Sequence, residues 1–184
     1  LEITMENAHH CEPFPAPFKI FSFDLETSIA HDTILCAAAV IEDMGTGERT
    51  RHAFDGDEES FLRELTQLVR SIDPDIITGY NIVNFDMGRI SDRANLLSKR
   101  DKSLKIATMG WGRVSTSEEG RRRDTLFPTR GTARAWNLGG RCVMDAWWQA
   151  RQALRPQRET LKFVSNLLFP DDEEMQKMDV DASK

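Results

Sequence analysis

The sequence predicts an α/β domain in which a mixed sheet, an antiparallel meander joined by a parallel strand, is flanked by helices. Three observations predict it. Three strand-like apolar runs follow one another in the first third of the chain, separated by turn residues. An amphipathic helical pattern is then followed at once by a short apolar strand, the arrangement of a crossover to a parallel neighbour. Carboxylates gather just past the ends of those strands, where open α/β sheets place their ligands.

The length of 184 residues suits one domain with a real core. Hydrophobic content is 40% and charged content 29%, ordinary for a globular protein. No apolar run approaches the roughly 20 residues needed to span a bilayer, so no membrane partner is expected. Leu1–Glu6 shows neither a signal-peptide pattern nor an initiator methionine, and the chain reads as a piece of a longer one. Cys11, Cys36 and Cys142 are too scattered for a zinc site or a disulfide framework, which makes a reducing, cytoplasmic compartment the expectation. The net charge of −6 argues against a dedicated electrostatic DNA binder. It also hides an asymmetry: from Lys105 to Arg141, eight Lys/Arg stand against three acids, a local +5 that leaves −11 for the remainder.

Residues 1–17, with Pro13, Pro15 and Pro17, read as an extended lead-in or linker, and 18–184 as the domain. Strands are expected at 19–24, 33–41 and 48–54, the last two joined by the turn Met44-Gly45-Thr46-Gly47. A helix begins near Asp57, where Glu58 and Glu59 favour its N-terminus. Phe61, Leu62, Leu65, Leu68, Val69 and Ile72 give it one apolar face, and Asp73-Pro74 ends it. Residues 75–80 form a short buried strand, and a further helix runs to about Leu97. Residues 105–140, rich in glycine and arginine, read as a basic loop rather than a packed element. A strand over 141–145, a helix from Ala146 to about Leu154 and a helix over 159–169 complete the domain.

The chemistry centres on Phe23-Asp24-Leu25-Glu26-Thr27. On an extended strand, residues i and i+2 share a face, so Asp24 and Glu26 point together with Leu25 opposite. Two carboxylates this close repel unless a cation sits between them, and Mg²⁺ favours such oxygens. The plain alternative is a strand end entering a solvated turn. Asn81 and Asp86 lie past the end of the 75–80 strand, so three carboxylates converge if the two strands are neighbours. Asp145 reads as a helix N-cap before Ala146. Trp147 and Trp148 read as core residues and Tyr80 as a packing residue.

Phe-Asp-Leu-Glu-Thr at 23–27 and Gly-Tyr-Asn-Ile-Val-Asn-Phe-Asp at 79–86 resemble the first two exonuclease motifs of the family B DNA polymerases. Ala-Pro-Phe-Lys at 16–19, Asp-Pro-Asp-Ile-Ile at 73–77, Gly-Arg-x-x-x-Asp at 140–145, Glu-Thr-Leu-Lys-Phe-Val-Ser at 159–165 and Lys-Met-Asp-Val-Asp at 177–181 follow in matching order. The resemblance, archaeal in flavour, covers about residues 16–184.

It implies an RNase H-like fold and a proofreading 3′→5′ exonuclease that hydrolyses single-stranded 3′ DNA ends with two metals, Mg²⁺ or Mn²⁺, roughly 4 Å apart. It implies that Asp24, Glu26 and Asp86 are catalytic and hold those metals, and that Asn81 and Phe85 contact the strand. Phe85 would be a stacking surface, with core packing as its alternative. Leu25 and Thr27 would line the terminal-nucleotide pocket. Residues 105–140 would match a hairpin insertion, with Arg121, Arg122 and Arg123 against DNA or merely solvated. The implied partners are the rest of a parent polymerase chain and, through it, a sliding clamp, at the nucleoid or replisome.

The family's third motif, Tyr-x-x-x-Asp, has no match here: the one tyrosine, Tyr80, is followed by Asn84. Asp179 and Asp181 are expected to be solvated. Weak or absent activity of this chain alone is therefore expected, the C-terminal part of the domain being incomplete. Two other readings share the fold: a stand-alone nuclease acting on DNA or RNA, and a non-catalytic nucleic-acid-binding module, against which the presence of Asp24, Glu26 and Asp86 speaks.

Overall fold

A computed structural model describes residues 9–10, 12–14, 16–28, 30–107, 111–113, 136, 138–172 and 175. Its elements run β1 (Lys19–Thr27), β2 (Ile34–Asp43), β3 (Arg49–Phe54), α1 (Glu58–Ile72), β4 (Ile76–Gly79), α2 (Asp86–Leu97), α3 (Lys102–Ala107), β5 (Cys142–Asp145), α4 (Ala146–Leu154) and α5 (Leu161–Leu168). The strands form one sheet of order β3-β2-β1-β4-β5. β1, β2 and β3 make the expected antiparallel meander. β4 lies parallel to β1, and β5 parallel to β4.

Alternation in β1 decides which side chains meet the core. Phe21, Phe23 and Leu25 are buried, while Asp24 and Glu26 are exposed on the other face. The register slips between Glu26 and Thr27, a bulge where the strand leaves its pairing with β2. The strand is three residues longer than the sequence suggests, because its pairing with β2 continues past Asp24 to Thr27.

The α1 helix lays Phe61, Leu62, Leu65 and Val69 on the sheet, as its spacing predicts. Its N-cap is Asp57, whose carboxylate accepts from the N–H groups of Glu59 (3.1 Å) and Ser60 (3.0 Å). Those bonds hold the Asp57 carboxyl below the usual carboxylate range. Asp73 closes the helix in the left-handed region at φ 54°. The α2 helix adds Met87, Ile90, Ala94 and Leu97 to the same core. Glu58 ties the two helices to β2: it accepts from Arg93 Nε at 2.7 Å and from the N–H of Ile34 at 2.9 Å.

The ends of the 105–140 stretch correct the expectation of an unpacked loop. Lys102–Ala107 form the short helix α3. Trp111 and Leu138 are fully buried in the core, and the Trp111 indole donates to Thr66 Oγ1 at 3.0 Å. The N–H of Arg113 donates to the Gly139 carbonyl at 2.7 Å, and its guanidinium bonds Asp73 and Asp75. Arg141 adds an ion pair to Asp73 at 2.8 Å and donates to the Trp111 carbonyl at 2.6 Å. A glycine- and arginine-rich composition masks these anchors, because a loop signal averages over the few apolar residues that pin it. Arg121, Arg122 and Arg123, like Asp179 and Asp181, lie outside the described residues.

Candidate active site

Register brings the site together. Ser22 pairs with Thr78 and Gly79 with Asp145, so β4 and β5 end together beside the middle of β1, which runs on past them with Asp24 and Glu26. Asp24, the turn that follows Gly79, and Asp145 therefore meet at one end of the sheet, the carboxyl end of its parallel strands.

That turn is unusual in its backbone. Asn81 takes the left-handed conformation at φ 65°, tolerable for asparagine. Its carbonyl accepts from the N–H groups of Asn84 (3.2 Å) and Phe85 (3.1 Å), and its side-chain oxygen accepts from Asn84 Nδ2 at 2.9 Å. Ile82 and Val83 fold into the core. The chain then re-enters a helix at Asp86, leaving Phe85 outside and Asp86 inside.

Asp86 is 2% exposed, and its Oδ1 accepts from the N–H of Leu25 at 3.0 Å. Burial and the nearby negative charge of Asp24 push its carboxyl up to about 7. The Leu25 hydrogen bond acts in the opposite direction, and the charge of Asp145 adds a smaller push upward.

Glu26 stands beside Asp24 on the exposed face, and Thr27 is half-buried just beyond it. Leu25 corrects the expectation of a pocket-lining side chain. It is 4% exposed within the core, because strand alternation turns it away from the carboxylates, and it serves the site through its backbone N–H. Phe85 is 39% exposed, which removes the core-packing alternative. The Arg89 guanidinium lies 5.6 Å from the centre of the Phe85 ring and is also bonded to Asp32. The sequence reading missed Arg89, although its i+4 spacing from Phe85 on a helix was the available signal.

A cleft of about 360 Å³ opens beside Asp24, lined by Asn81, Tyr80, Trp147 and Glu159 among others. Tyr80 lines this cleft instead of packing in the core, and its hydroxyl donates to the Glu159 carbonyl at 2.6 Å. Trp147 and Trp148 are half-buried, and α4 contributes no buried residue, so the expectation of core burial fails for both. Their rings meet edge-on at 4.8 Å, with Arg151 over both and paired to Glu159 at 3.2 Å.

Asp145 is the N-cap that the sequence predicts, accepting from the N–H of Trp147 at 2.9 Å. The sequence did not reveal its two further bonds, from the N–H groups of Asn81 (2.8 Å) and Val83 (3.1 Å). Such long-range bonds leave no local pattern to read.

The donor chemistry suits a hard divalent cation. Asp24 and Glu26 offer exposed carboxylates, and the ionisation of Asp86 is opposed by a negative charge that a cation would offset. Among the described residues, no three His, Cys, Asp or Glu side chains are gathered closely enough to hold a metal ion.

Comparisons with known proteins point the same way. Residues 53–164 match the family model described as "DNA polymerase family B, exonuclease domain". The chain is 26% identical to the DNA polymerase delta catalytic subunit of Candida albicans over 178 residues, covering 82% of this chain and 16% of that protein. It is 56% identical to the corresponding subunit of Caenorhabditis elegans over 41 residues, 22% of this chain and 4% of that one. In structure it is similar to the family B DNA polymerase of the hyperthermophilic archaeon Pyrobaculum calidifontis, with a TM-score of 0.61 and 21% identity over 85% of this chain and 19% of that chain. The chain thus spans under a fifth of the length of each.

Proposed function

The chain belongs to the exonuclease domain of the family B DNA polymerases, and from that premise we propose that it removes nucleotides from single-stranded 3′ DNA ends, the proofreading step of a DNA-directed DNA polymerase. The observation that carries this reading is the hydrogen bond from the Leu25 N–H to Asp86 Oδ1. It fastens the carboxylate of the second motif beneath the strand that bears the first.

Asp24, Glu26 and Asp86 are the residues that would hold Mg²⁺ or Mn²⁺. Bound there, a pair of such ions would supply an activated water and stabilise charge on the phosphate and the leaving oxygen. The chain's own residues do the rest. Phe85 presents an exposed ring on which an unpaired base can stack. The half-buried Asn81 lines the cleft beside Asp24 with a polar side chain. Asp86, held in the core with its carboxyl raised to about 7, is only partly ionised at neutrality, and a cation held beside Asp24 would favour its ionised form.

Weak turnover by this chain alone is part of the same proposal. The rest of a parent polymerase, and a sliding clamp reached through it, belong to the same proposal. So do contact between DNA and the arginines at 121–123, and a place at the replisome.

The reading is tested by titrating the chain with Mn²⁺ in a calorimeter, beside an Asp24→Ala/Glu26→Ala variant. The same pair is then given a single-stranded DNA oligonucleotide labelled at its 5′ end and an RNA of the same sequence. Expected are Mn²⁺ binding lost in the variant and slow metal-dependent shortening of the DNA from its 3′ end. Absence of Mn²⁺ binding by the unsubstituted chain, or shortening that survives the double substitution, overturns the proposal.

A further inference from the structure

Val83 is held by side chains at both of its backbone groups. Asp145 Oδ2 accepts from its N–H at 3.1 Å, and the Trp136 indole donates to its carbonyl at 2.8 Å. The two partners lie 62 and 53 residues away in sequence, so neither bond is a by-product of local turn geometry. Asp145 also fixes the head of the same turn, its Oδ1 accepting from the N–H of Asn81 at 2.8 Å. Asn81 is the residue in the left-handed conformation, and its carbonyl receives the N–H groups of Asn84 and Phe85.

From these contacts we infer that Asp145 and Trp136 are positioning residues, a two-sided clamp that fixes the 81–86 turn and thereby sets where Phe85 and Asp86 stand. The inference rests on the nuclease reading only for its consequence, since the clamp itself is a matter of hydrogen bonds.

Asp145 is 5% exposed and carries a charge that Asp86 senses, so it invites reading as a further metal ligand. Its bonding argues otherwise. Oδ1 accepts from two N–H groups, those of Asn81 and Trp147, and Oδ2 accepts from that of Val83. A carboxylate receiving three backbone donors is occupied as a turn cap. Without it, the turn would have to sustain a left-handed asparagine, a half-buried N–H at Asn81 and a buried one at Val83 unaided, and buried unpaired N–H groups are costly. Trp136 completes the arrangement on the next peptide: the Val83 N–H belongs to the Ile82–Val83 peptide and the Val83 carbonyl to the Val83–Asn84 peptide, so the two bonds pin the planes on either side of Val83 and neither can rotate without breaking its bond.

Asp145→Asn separates the two roles. Oδ1, with two donors facing it, remains the amide oxygen, which turns the NH₂ toward the N–H of Val83. Amide hydrogen exchange, read by NMR or mass spectrometry, is then expected to quicken at Val83 by on the order of tenfold or more, with Asn81 less affected. Asp145→Ala is expected to free both. Trp136→Phe, which keeps a ring but removes the donor, is expected to quicken exchange at Val83 by a smaller factor. The double variant Asp145→Asn/Trp136→Phe should fall short of the product of the two single effects, since both bonds constrain one residue through its two flanking peptides.

Calorimetry with Mn²⁺ adds a readout that exchange does not give: weaker binding with unchanged stoichiometry is expected in Asp145→Asn. Unchanged exchange at Val83 in Asp145→Asn overturns the clamp, as does exchange that quickens evenly throughout the core. Loss of one bound Mn²⁺ per chain assigns Asp145 as a ligand and overturns its positioning role. If Asp145→Ala does not fold, Asp145→Asn and Trp136→Phe decide. Failure to detect nuclease activity bears on the function and leaves each of these measurements readable.

Discussion

Asp86 and Leu25, 61 residues apart, are joined by a hydrogen bond of 3.0 Å from the Leu25 N–H to Asp86 Oδ1. The bond makes the two acidic motifs one structural unit, and it holds a carboxyl in the core close to the charge of Asp24. That placement predicts an unusual dependence of stability on pH. Asp86 is raised from 3.8 in its ordinary state to about 7 in the folded chain. Between those values the folded form keeps a proton that the unfolded form has released. Its contribution to stability is therefore fully present below pH 3.8 and is lost as pH rises through about 7. The lowered carboxyls of Asp57, Asp73, Asp75 and Asp101 act in the opposite sense and weaken the fold in acid. The difference between Asp86→Asn and the parent isolates the first effect. Thermal melts from pH 4 to pH 8 are expected to show the variant gaining on the parent as pH rises, by on the order of a few kcal/mol at most. Mn²⁺ should raise the parent's melting temperature more at pH 8 than at pH 6. Parallel profiles for the two proteins would count against a buried, proton-holding Asp86.

Phe85 yields a prediction with the opposite balance of stability and binding. Its ring is 39% exposed and sits against Arg89 rather than in the core. Phe85→Ala should change stability by well under about 1 kcal/mol, as exposed positions do. Affinity for a short single-stranded oligonucleotide should fall by about 1–3 kcal/mol, the range for loss of one stacking base. Fluorescence anisotropy at fixed salt measures it, with urea denaturation as the stability control. A variant that unfolds more easily but binds as before would return Phe85 to a packing role.

Most of the sheet was legible in the sequence because apolar alternation and the α1 periodicity act locally. Phe21, Phe23 and Leu25 alternate with Asp24 and Glu26, and the α1 face from Phe61 to Val69 buries as its spacing dictates. The candidate site was legible in its carboxylates and in its topological position. What escaped was held by contacts distant in sequence: the hydrogen bond of Asp86 to Leu25, the grip of Asp145 and Trp136 on Val83, and Trp111 in a stretch whose composition speaks for a loop. Trp147 and Trp148 were misjudged for a related reason. Hydrophobicity predicts burial only where an element packs on the core, and α4 lies at the margin of the sheet with no buried residue.

Trp111 and Thr66 carry the next prediction. The indole N–H of Trp111 donates to Thr66 Oγ1 at 3.0 Å, and that hydroxyl donates to the Leu62 carbonyl at 2.8 Å, all within the buried core. Thr66→Val keeps the shape but leaves the indole N–H without this acceptor. A loss of about 0.5–1.5 kcal/mol in urea denaturation is expected, the net worth of one buried hydrogen bond. Trp111→Phe removes the donor as well, so adding Thr66→Val to it should cost less than Thr66→Val costs alone. Equal costs in the two backgrounds would mean that the bond contributes nothing.

Gly79 and Gly88 should respond to the same substitution in opposite directions. Gly79 ends β4, where a Cβ would lie 2.3 Å from Ile82 Cγ2 and 2.4 Å from the backbone oxygen of Phe23. Ile82 could rotate, but the Phe23 oxygen belongs to the central strand β1, fixed on one side by β2 and on the other by β4. Relief therefore requires β4 to move away from β1, which also moves the turn carrying Asn81 and Asp86. Gly79→Ala is expected to destabilise the chain by about 3 kcal/mol or more, at the upper end of overpacking effects, and to weaken Mn²⁺ binding. Gly88 lies within α2, and a Cβ there would meet nothing within 4 Å. Gly88→Ala should stabilise by roughly 0.5–1 kcal/mol, since alanine has less chain entropy to lose in a helix. Chemical denaturation of the two variants side by side measures both signs. A tolerated Gly79→Ala would show that β1 and β4 can separate without penalty, and the pairing of the two strands would then no longer explain how the carboxylates are brought together.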